Sequence, residues 1–249
     1  VCWIFGGFEL DDPRGVIGDN ELPADHAAWI VKFKATEDPT DIGPLEEAYA
    51  CMAEAAGLKL APHRLIPAKN GPGYFATKRF DRPGQGARLH MLSLTGAIEA
   101  PSTAGAVSYD VFLRATQAIT RNAEDVVHAF RRMIFNVLAH NRDDHARQHA
   151  YLMDDAGEWS LSPAYDLTYS PGPGGEHYLD VDGEGGKPTR KHIDALGQKH
   201  SLGAKDVEAM VKEVGAAVGD WRKFAKDAGV TGATTKLVAD AHARVRANF

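Results

Sequence analysis

Long apolar runs are missing from these 249 residues, and no stretch approaches the ~20 apolar residues that a membrane-spanning helix needs, so no helical membrane anchor is expected. Cysteine is scarce. Cys2 and Cys51 lie in apolar surroundings without the spacing of a metal-ligand pair and read as free thiols of a reducing compartment. Positive charge is also short: 28 Lys and Arg stand against 34 Asp and Glu, a formal net charge of −6. That balance argues against a protein holding nucleic acid by bulk positive charge, although Lys187, Arg190, Lys191 and His192 leave room for a local basic patch. The opening residues 1–8 are apolar but short and carry no basic leader, so no signal peptide is expected and the cytoplasm is the expected compartment. There is no helical His-Glu-x-x-His pattern, no internal repeat and no low-complexity tract.

What is present is ordinary globular material, 44% hydrophobic and 25% charged, enough for one large core or two lobes. Residues 1–15 give no clear pattern, and 11–15 reads as a turn or break. Residues 29–33 are strand-like, with large apolar residues around Lys32. Leu45, Ala48, Tyr49, Met52, Ala53 and Ala56 recur at helical spacing, with Gly57 as the stop. Residues 58–67 and 73–80 read as strands joined by a turn at 69–72. Beyond about Arg88 the pattern turns helical: 109–120, 125–140, 190–198, 204–218, 221–228 and 235–248. The expected fold is α+β, a small mixed lobe over 1–87 and a larger, mostly helical lobe over 88–249.

The segment 135–169 is the richest in chemistry. An apolar helix runs into a polar cluster from Asn141 to His149, a short apolar piece and a turn at 154–157 follow, and a second short piece delivers Asp166. Two carboxylates at the ends of a hairpin can converge on one metal–phosphate centre, as they do in protein kinases. Asp143 is the candidate general base. Asp166 is the candidate Mg²⁺ ligand, because that ion prefers hard oxygen donors and lets substrate phosphates complete its shell. Gln148, five positions after Asp143, stands where a kinase catalytic loop holds a metal-binding amide. Taken singly, such aspartates are more often helix caps or surface turns.

Upstream, Lys32 is either a solvated edge lysine or a phosphate-bridging lysine, oriented by Glu46 or Glu47 at the start of the next helix. The plain alternative for the glutamates is stabilisation at a positive helix N-terminus. Arg79 and Phe80 end the second strand, where backbone could meet a purine edge and Phe80 offer an apolar wall; a charged turn with Phe80 in the core suits them equally. A rival set, His140, His145 and His149 with Asp143 and Asp144, could hold zinc or a di-metal centre, with His145 and His149 on one face if helical. Otherwise His145 serves to fix the loop by hydrogen bonds.

In combination these pieces resemble the HipA family of toxin kinases. The matching residues are 29–33, Leu45-Glu46-Glu47, residues 77–82 with Arg88 to Met91, the Asn-x-Asp-Asp-His loop at 141–145, and 161–166; the stretch around Trp221, Phe224 and Gly229 matches the helical half. The resemblance covers roughly residues 16–249. It implies a two-lobed, kinase-like fold and a Ser/Thr protein kinase using ATP and Mg²⁺. It also implies a helix-turn-helix antitoxin of the HipB kind that binds operator DNA, and a protein substrate such as an aminoacyl-tRNA synthetase. By position, Lys32 would meet the ATP phosphates, Asp143 would be the base, Asp166 the Mg²⁺ ligand, and Glu46 the helix glutamate. Two departures stand out. Arg147-Gln148 replaces the family's usual Lys-Asn, which points to altered activity or a pseudokinase acting as a regulatory partner. The family's glycine-rich loop is not recognisable, and only residues 12–18 stand in its place.

Overall fold

A computed structural model describes residues 2–9, 12–17, 26–84, 86–101 and 103–249, the first two stretches as backbone only. Its first layer is a five-stranded antiparallel sheet in the order β2-β1-β3-β5-β4. The strands are β1 (Cys2–Glu9), β2 (Asp12–Ile17), β3 (Ala27–Phe33), β4 (His63–Ile66) and β5 (Tyr74–Lys78). The break expected at 11–15 is therefore corrected: from Asp12 onward the backbone is strand, paired with β1 through Gly6↔Ile17 and Gly7↔Val16. Glycines in β1 and Pro13 in β2 erased the alternation that marks a strand. Gly18, the last residue of the stretch standing in for a glycine-rich loop, lies outside the described residues.

In β3 the period of two decides which side chain does what. Trp29 and Val31 are buried on one face with Ala76 of β5. Ile30 and Lys32 point to the other face, into a cavity. Helix α1 (Ile42–Ala55) crosses that face. Its N-terminal turn lies against the sheet connection so closely that a Cβ on Gly43 would sit 2.4 Å from the Gly73 carbonyl oxygen. It ends where Gly57 takes a left-handed conformation, φ +78°. The apolar stripe of α1 does not stay with the sheet. Tyr49 is fully buried, donates to the Ala139 carbonyl at 2.7 Å and packs edge-on against Trp221, so α1 belongs to the main hydrophobic core.

The rest is helical around a second sheet. In chain order come β6 (His90–Ser93), α2 (Leu94–Ala97), β7 (Val107–Ser108), α3 (Tyr109–Thr120), α4 (Ala123–Leu138), β8 (Ala150–Met153), β9 (Trp159–Leu161) and β10 (Leu179–Asp180). Four helices follow: α5 (Arg190–Lys199), α6 (Ala204–Gly219), α7 (Trp221–Ala228) and α8 (Gly232–Arg246). Strands β6, β8 and β9 form an antiparallel sheet, and β7 pairs β10 in parallel. β6 escaped the sequence reading because both its first residues, His90 and Met91, are exposed and give no alternation. The expected helix at 235–248 starts three residues earlier, capped by the Thr231 hydroxyl accepting from the Thr234 amide. Helix α4 is the keystone. Phe130, Met133, Ile134 and Phe135 are wholly buried, and each such side chain contributes about 1.5–3 kcal/mol by leaving water. Among the described residues no helix is long and apolar enough to cross a membrane.

Candidate active site

Both ends of the chemistry-rich segment are set by α4. Its C-terminus opens into the loop 139–149, where His140 takes φ +53° and turns the chain. Asp125, near its start, accepts from the Leu161 amide at 3.1 Å. Arg132, in its middle, is buried and donates to the Ser162 carbonyl at 2.6 Å. These two bonds hold β9 and so aim the residues that follow it. Asp166 then sits at φ +57°, a left-handed backbone that a non-glycine residue takes at a cost. The loop before it is tied to the first lobe by a parallel bridge, Leu60↔Ala164.

Four of the expected site residues meet here. Lys32 Nζ lies 2.6 Å from Glu46 Oε1 and also contacts Asp166 Oδ1. Gln148 donates its amide to the other Asp166 oxygen. Burial alone would push Lys32 down, but the charges of Glu46 and Asp166 and their hydrogen bonds hold it well above its ordinary value. Burial raises Glu46 to about 6 despite Lys32, consistent with its second oxygen, Oε2, being buried without a partner. For Asp166 burial pushes upward too, yet Lys32 and the Gln148 amide keep it below the usual carboxylate range. Glu46 is thus the glutamate that meets Lys32; Glu47 turns away, to His63.

Asp143 and Asp144 are neighbours with opposite surroundings. Asp144 is fully buried and accepts from Tyr109 Oη at 2.6 Å, His177 Nδ1 at 2.8 Å and the Tyr178 amide at 2.8 Å. Although burial opposes it, His177 and these hydrogen bonds keep Asp144 low. Asn136 extends the network, donating to Tyr109 Oη at 2.9 Å and accepting from Asn141 at 3.0 Å. Asp143 has a side chain 48% exposed, with His145 Nε2 3.8 Å away. Burial, assisted by the charges of Asp166 and Asp144 and opposed by His145 and Lys32, raises it. A carboxylate held above its usual range, with no short hydrogen bond among the described residues and partly open to solvent, has the properties of a proton acceptor.

The histidine reading of this loop is corrected. Residues 146–148 form a 3₁₀ turn, so His145 and His149 do not share a helical face. His149 is buried, stacks on Phe112 at 4.1 Å, and burial lowers it to about 3. His140 is engaged by the Ser170 carbonyl at 3.1 Å, and His145 packs edge-on against Tyr178. Among the described residues these histidines form no converging donor set.

A cavity of about 330 Å³ opens beside Lys32, within the size range of ligand pockets. Phe75, Phe80, Tyr165 and Leu167 give it apolar walls, and Lys32, Glu46 and Asp166 lie at its polar end. Phe80 packs against Tyr165, ring centres 5.7 Å apart. Arg79 lines the same cavity while donating through Nε to Asp81 at 2.8 Å. The sequence reading missed Asp81, Tyr165 and Leu60 as cavity residues. The Leu60–Ala164 bridge brings the last two together, and no local spacing records it. The donor set suits a hard divalent cation: Asp166 offers carboxylate oxygen and Gln148 an amide oxygen once its amide is turned. In this structure the Lys32 ammonium is paired with Asp166 Oδ1.

A family model for the HipA-like C-terminal domain matches residues 11–221. Among curated proteins, the chain is similar to "Putative kinase Y4mE" of Sinorhizobium fredii (strain NBRC 101917 / NGR234), 28% identical over 189 residues, covering 72% of this chain and 39% of that protein. Among solved structures, it resembles HipA of Shewanella oneidensis MR-1, solved with HipB and its operator DNA. The TM-score is 0.68 at 16% identity, covering 94% of this chain and 59% of that one. It also resembles the Helicobacter pylori proinflammatory kinase CtkA, with a TM-score of 0.52 at 13% identity over 88% of this chain and 92% of that one. These likenesses establish the two-lobed, kinase-like fold. The chain spans 39% of the length of the curated relative it matches. The family model, in contrast, takes in most of the chain, which therefore belongs to the HipA-like C-terminal domain family.

Proposed function

We propose that this chain carries the catalytic core of a HipA-type protein kinase, transferring the ATP γ-phosphate to a Ser or Thr hydroxyl. The observation that carries the reading is Lys32 held between Glu46 and Asp166 at the polar end of a 330 Å³ apolar cavity. Residues 1–87 would cover the nucleotide and 88–249 supply the loops. The base would lie between the apolar walls, with Phe80 against one face and Arg79 near its edge. Lys32 would leave Asp166 for the phosphates, kept cationic and aimed by Glu46. Asp166 and Gln148 would hold Mg²⁺, which when bound neutralises charge on the phosphates. Asp143 would accept or orient the acceptor hydroxyl's proton, with His145 steadying the loop.

The family resemblance, and the solution of Shewanella HipA with HipB and operator DNA, support a helix-turn-helix antitoxin as partner and, through it, operator DNA. An aminoacyl-tRNA synthetase is the substrate class the resemblance suggests. Transfer of labelled γ-phosphate to protein by the wild type, lost in Asp143→Asn while Mg²⁺-dependent nucleotide binding persists, is the expected result. Undiminished transfer by that variant would remove Asp143 from the reaction. Gln148 favours a second reading, a pseudokinase: nucleotide binding by the wild type with no transfer to any protein would select it.

A further inference from the structure

The outer face of α1 carries a second constellation that the proposed phosphoryl transfer does not use. Glu47, Cys51 and Glu54 fall one turn apart on a single stripe of that helix, and His63 of β4 faces them. His63 Nδ1 lies 3.0 Å from Glu47 Oε2, its Nε2 lies 3.5 Å from Glu54 Oε2, and Cys51 Sγ lies 3.7 Å from Glu47 Oε1. One donor atom each from Glu47, Cys51 and His63 fall within 4.8 Å of one another. Around a tetrahedral ion with bonds of about 2.0–2.3 Å, neighbouring donors stand roughly 3.3–3.7 Å apart.

We propose that Glu47, Cys51 and His63 Nδ1 form a site for a borderline-soft divalent cation of the zinc class, with the fourth position left to water or an external ligand. The donor set selects the ion, because thiolate and imidazole favour zinc over the oxygen-seeking Mg²⁺ and Ca²⁺. A carboxylate and a thiolate together neutralise its charge. Glu54 places a carboxylate 3.5 Å from the second ring nitrogen, as metal-bound imidazoles ordinarily have, and an ion would take the place of the contact that Nδ1 now makes with Glu47. The side chains of His63 and Glu47 are 7% and 16% exposed, so the donors are preset yet reachable. A bound ion would tie the middle of α1 to the edge strand β4. The same helix holds Glu46 against Lys32, so the tie would steady the glutamate of the cavity. Thiolate is the coordinating form of cysteine, so binding displaces a proton from Cys51. Affinity should therefore rise with pH. His63 also lines the cavity beside Lys32, but the donor set can be tested by metal binding alone, whether or not the chain transfers phosphate.

The test uses the untagged full chain, stripped by chelator and titrated with Zn²⁺ and separately Co²⁺. Expected are one equivalent per chain by elemental analysis, a thiolate-to-Co²⁺ charge-transfer band, and protection of Cys51 from alkylation mapped by mass spectrometry. Excess Mg²⁺ should not compete. Cys51→Ser should abolish the band, and Glu47→Gln should weaken binding about 10–100-fold. Failure of the wild type to retain either metal after dialysis would overturn the proposal and leave a hydrogen-bonded Glu47–His63–Glu54 cluster. Metal retained undiminished by Cys51→Ser would overturn it as well. Because the wild-type spectrum and alkylation map are decisive alone, a poorly folding variant does not spoil the test.

Discussion

The two walls of the candidate site, the sheet side and the loop side, are built on opposite principles. On the sheet side, Lys32 and Glu46 are both about 5% exposed or less and compensate each other's charge directly. Their geometry is held by the apolar stripe of α1 packing into the main core. On the loop side, Asp143 is half exposed, and its place is fixed by its neighbour: Asp144 is wholly buried and satisfied by three donors. One wall buries its charge, whereas the other buries an anchor and leaves its charge outside. A buried pair is poised by electrostatics and resists movement, while an exposed carboxylate on an anchored loop can meet a bulky acceptor. Under the proposed function, that division would put the small constant substrate on one side and the protein on the other.

The largest effect belongs to the exposed carboxylate. Asp143→Asn should lower transfer by about 10²–10⁴-fold with an unchanged unfolding midpoint, measured by phosphotransfer assay and thermal melt. Asp144→Ala should do the reverse in kind. It strands Tyr109, His177 and a backbone amide, costing about 3–5 kcal/mol, read by denaturant unfolding. If Asp144→Ala were to leave stability intact, the anchor half of the contrast would be broken.

The buried wall should show itself in pH dependence. Burial raises Glu46 to about 6, so below that pH it becomes neutral and its hold on Lys32 weakens. The free-enzyme parameter kcat/KM should therefore fall on the acid side of about pH 6. Glu46→Gln should lower the plateau about tenfold or more and remove that limb. A limb surviving in Glu46→Gln would belong to Asp143 and move the sensitive proton to the loop wall.

How far the sequence could be read followed the range of the interactions. The strand bearing Lys32 and the stripe of α1 were legible because period 2 and period 3.6 are local, and the helices at 109–120 and 221–228 end where their stripes end. Asp143 and Asp166 could be named because a short hairpin separates them. The role of Asp144 could not: its partners Tyr109 and His177 are each more than thirty residues away. Likewise Cys51 read as an inert thiol, since nothing in the spacing of α1 shows that His63 folds back over it. The hairpin of β1 and β2 was lost for the opposite reason, its glycines and proline hiding a local signal.

The smallest expected effect separates packing from chemistry within the loop wall. His149 closes the loop 139–149, stacked on Phe112, with both ring nitrogens buried. An imidazole so placed is neutral in the folded state, and burial lowers it to about 3 against 6.5 when unfolded. The unfolded chain therefore binds the extra proton first. The stability is fully present above pH 6.5 and drains away as pH falls toward 3. His149→Phe keeps the ring contact and removes the titration, so its unfolding free energy near pH 8 should lie within about 1.5 kcal/mol of wild type. Its decline between pH 6.5 and 4 should be shallower. Denaturant unfolding at several pH values checks this, and parallel pH profiles for the two proteins would mean that His149 finds a proton partner in the fold. Transfer at pH 8 should survive the substitution, because the proposed function gives the chemistry of this wall to Asp143 and leaves the residues beneath it to hold the loop.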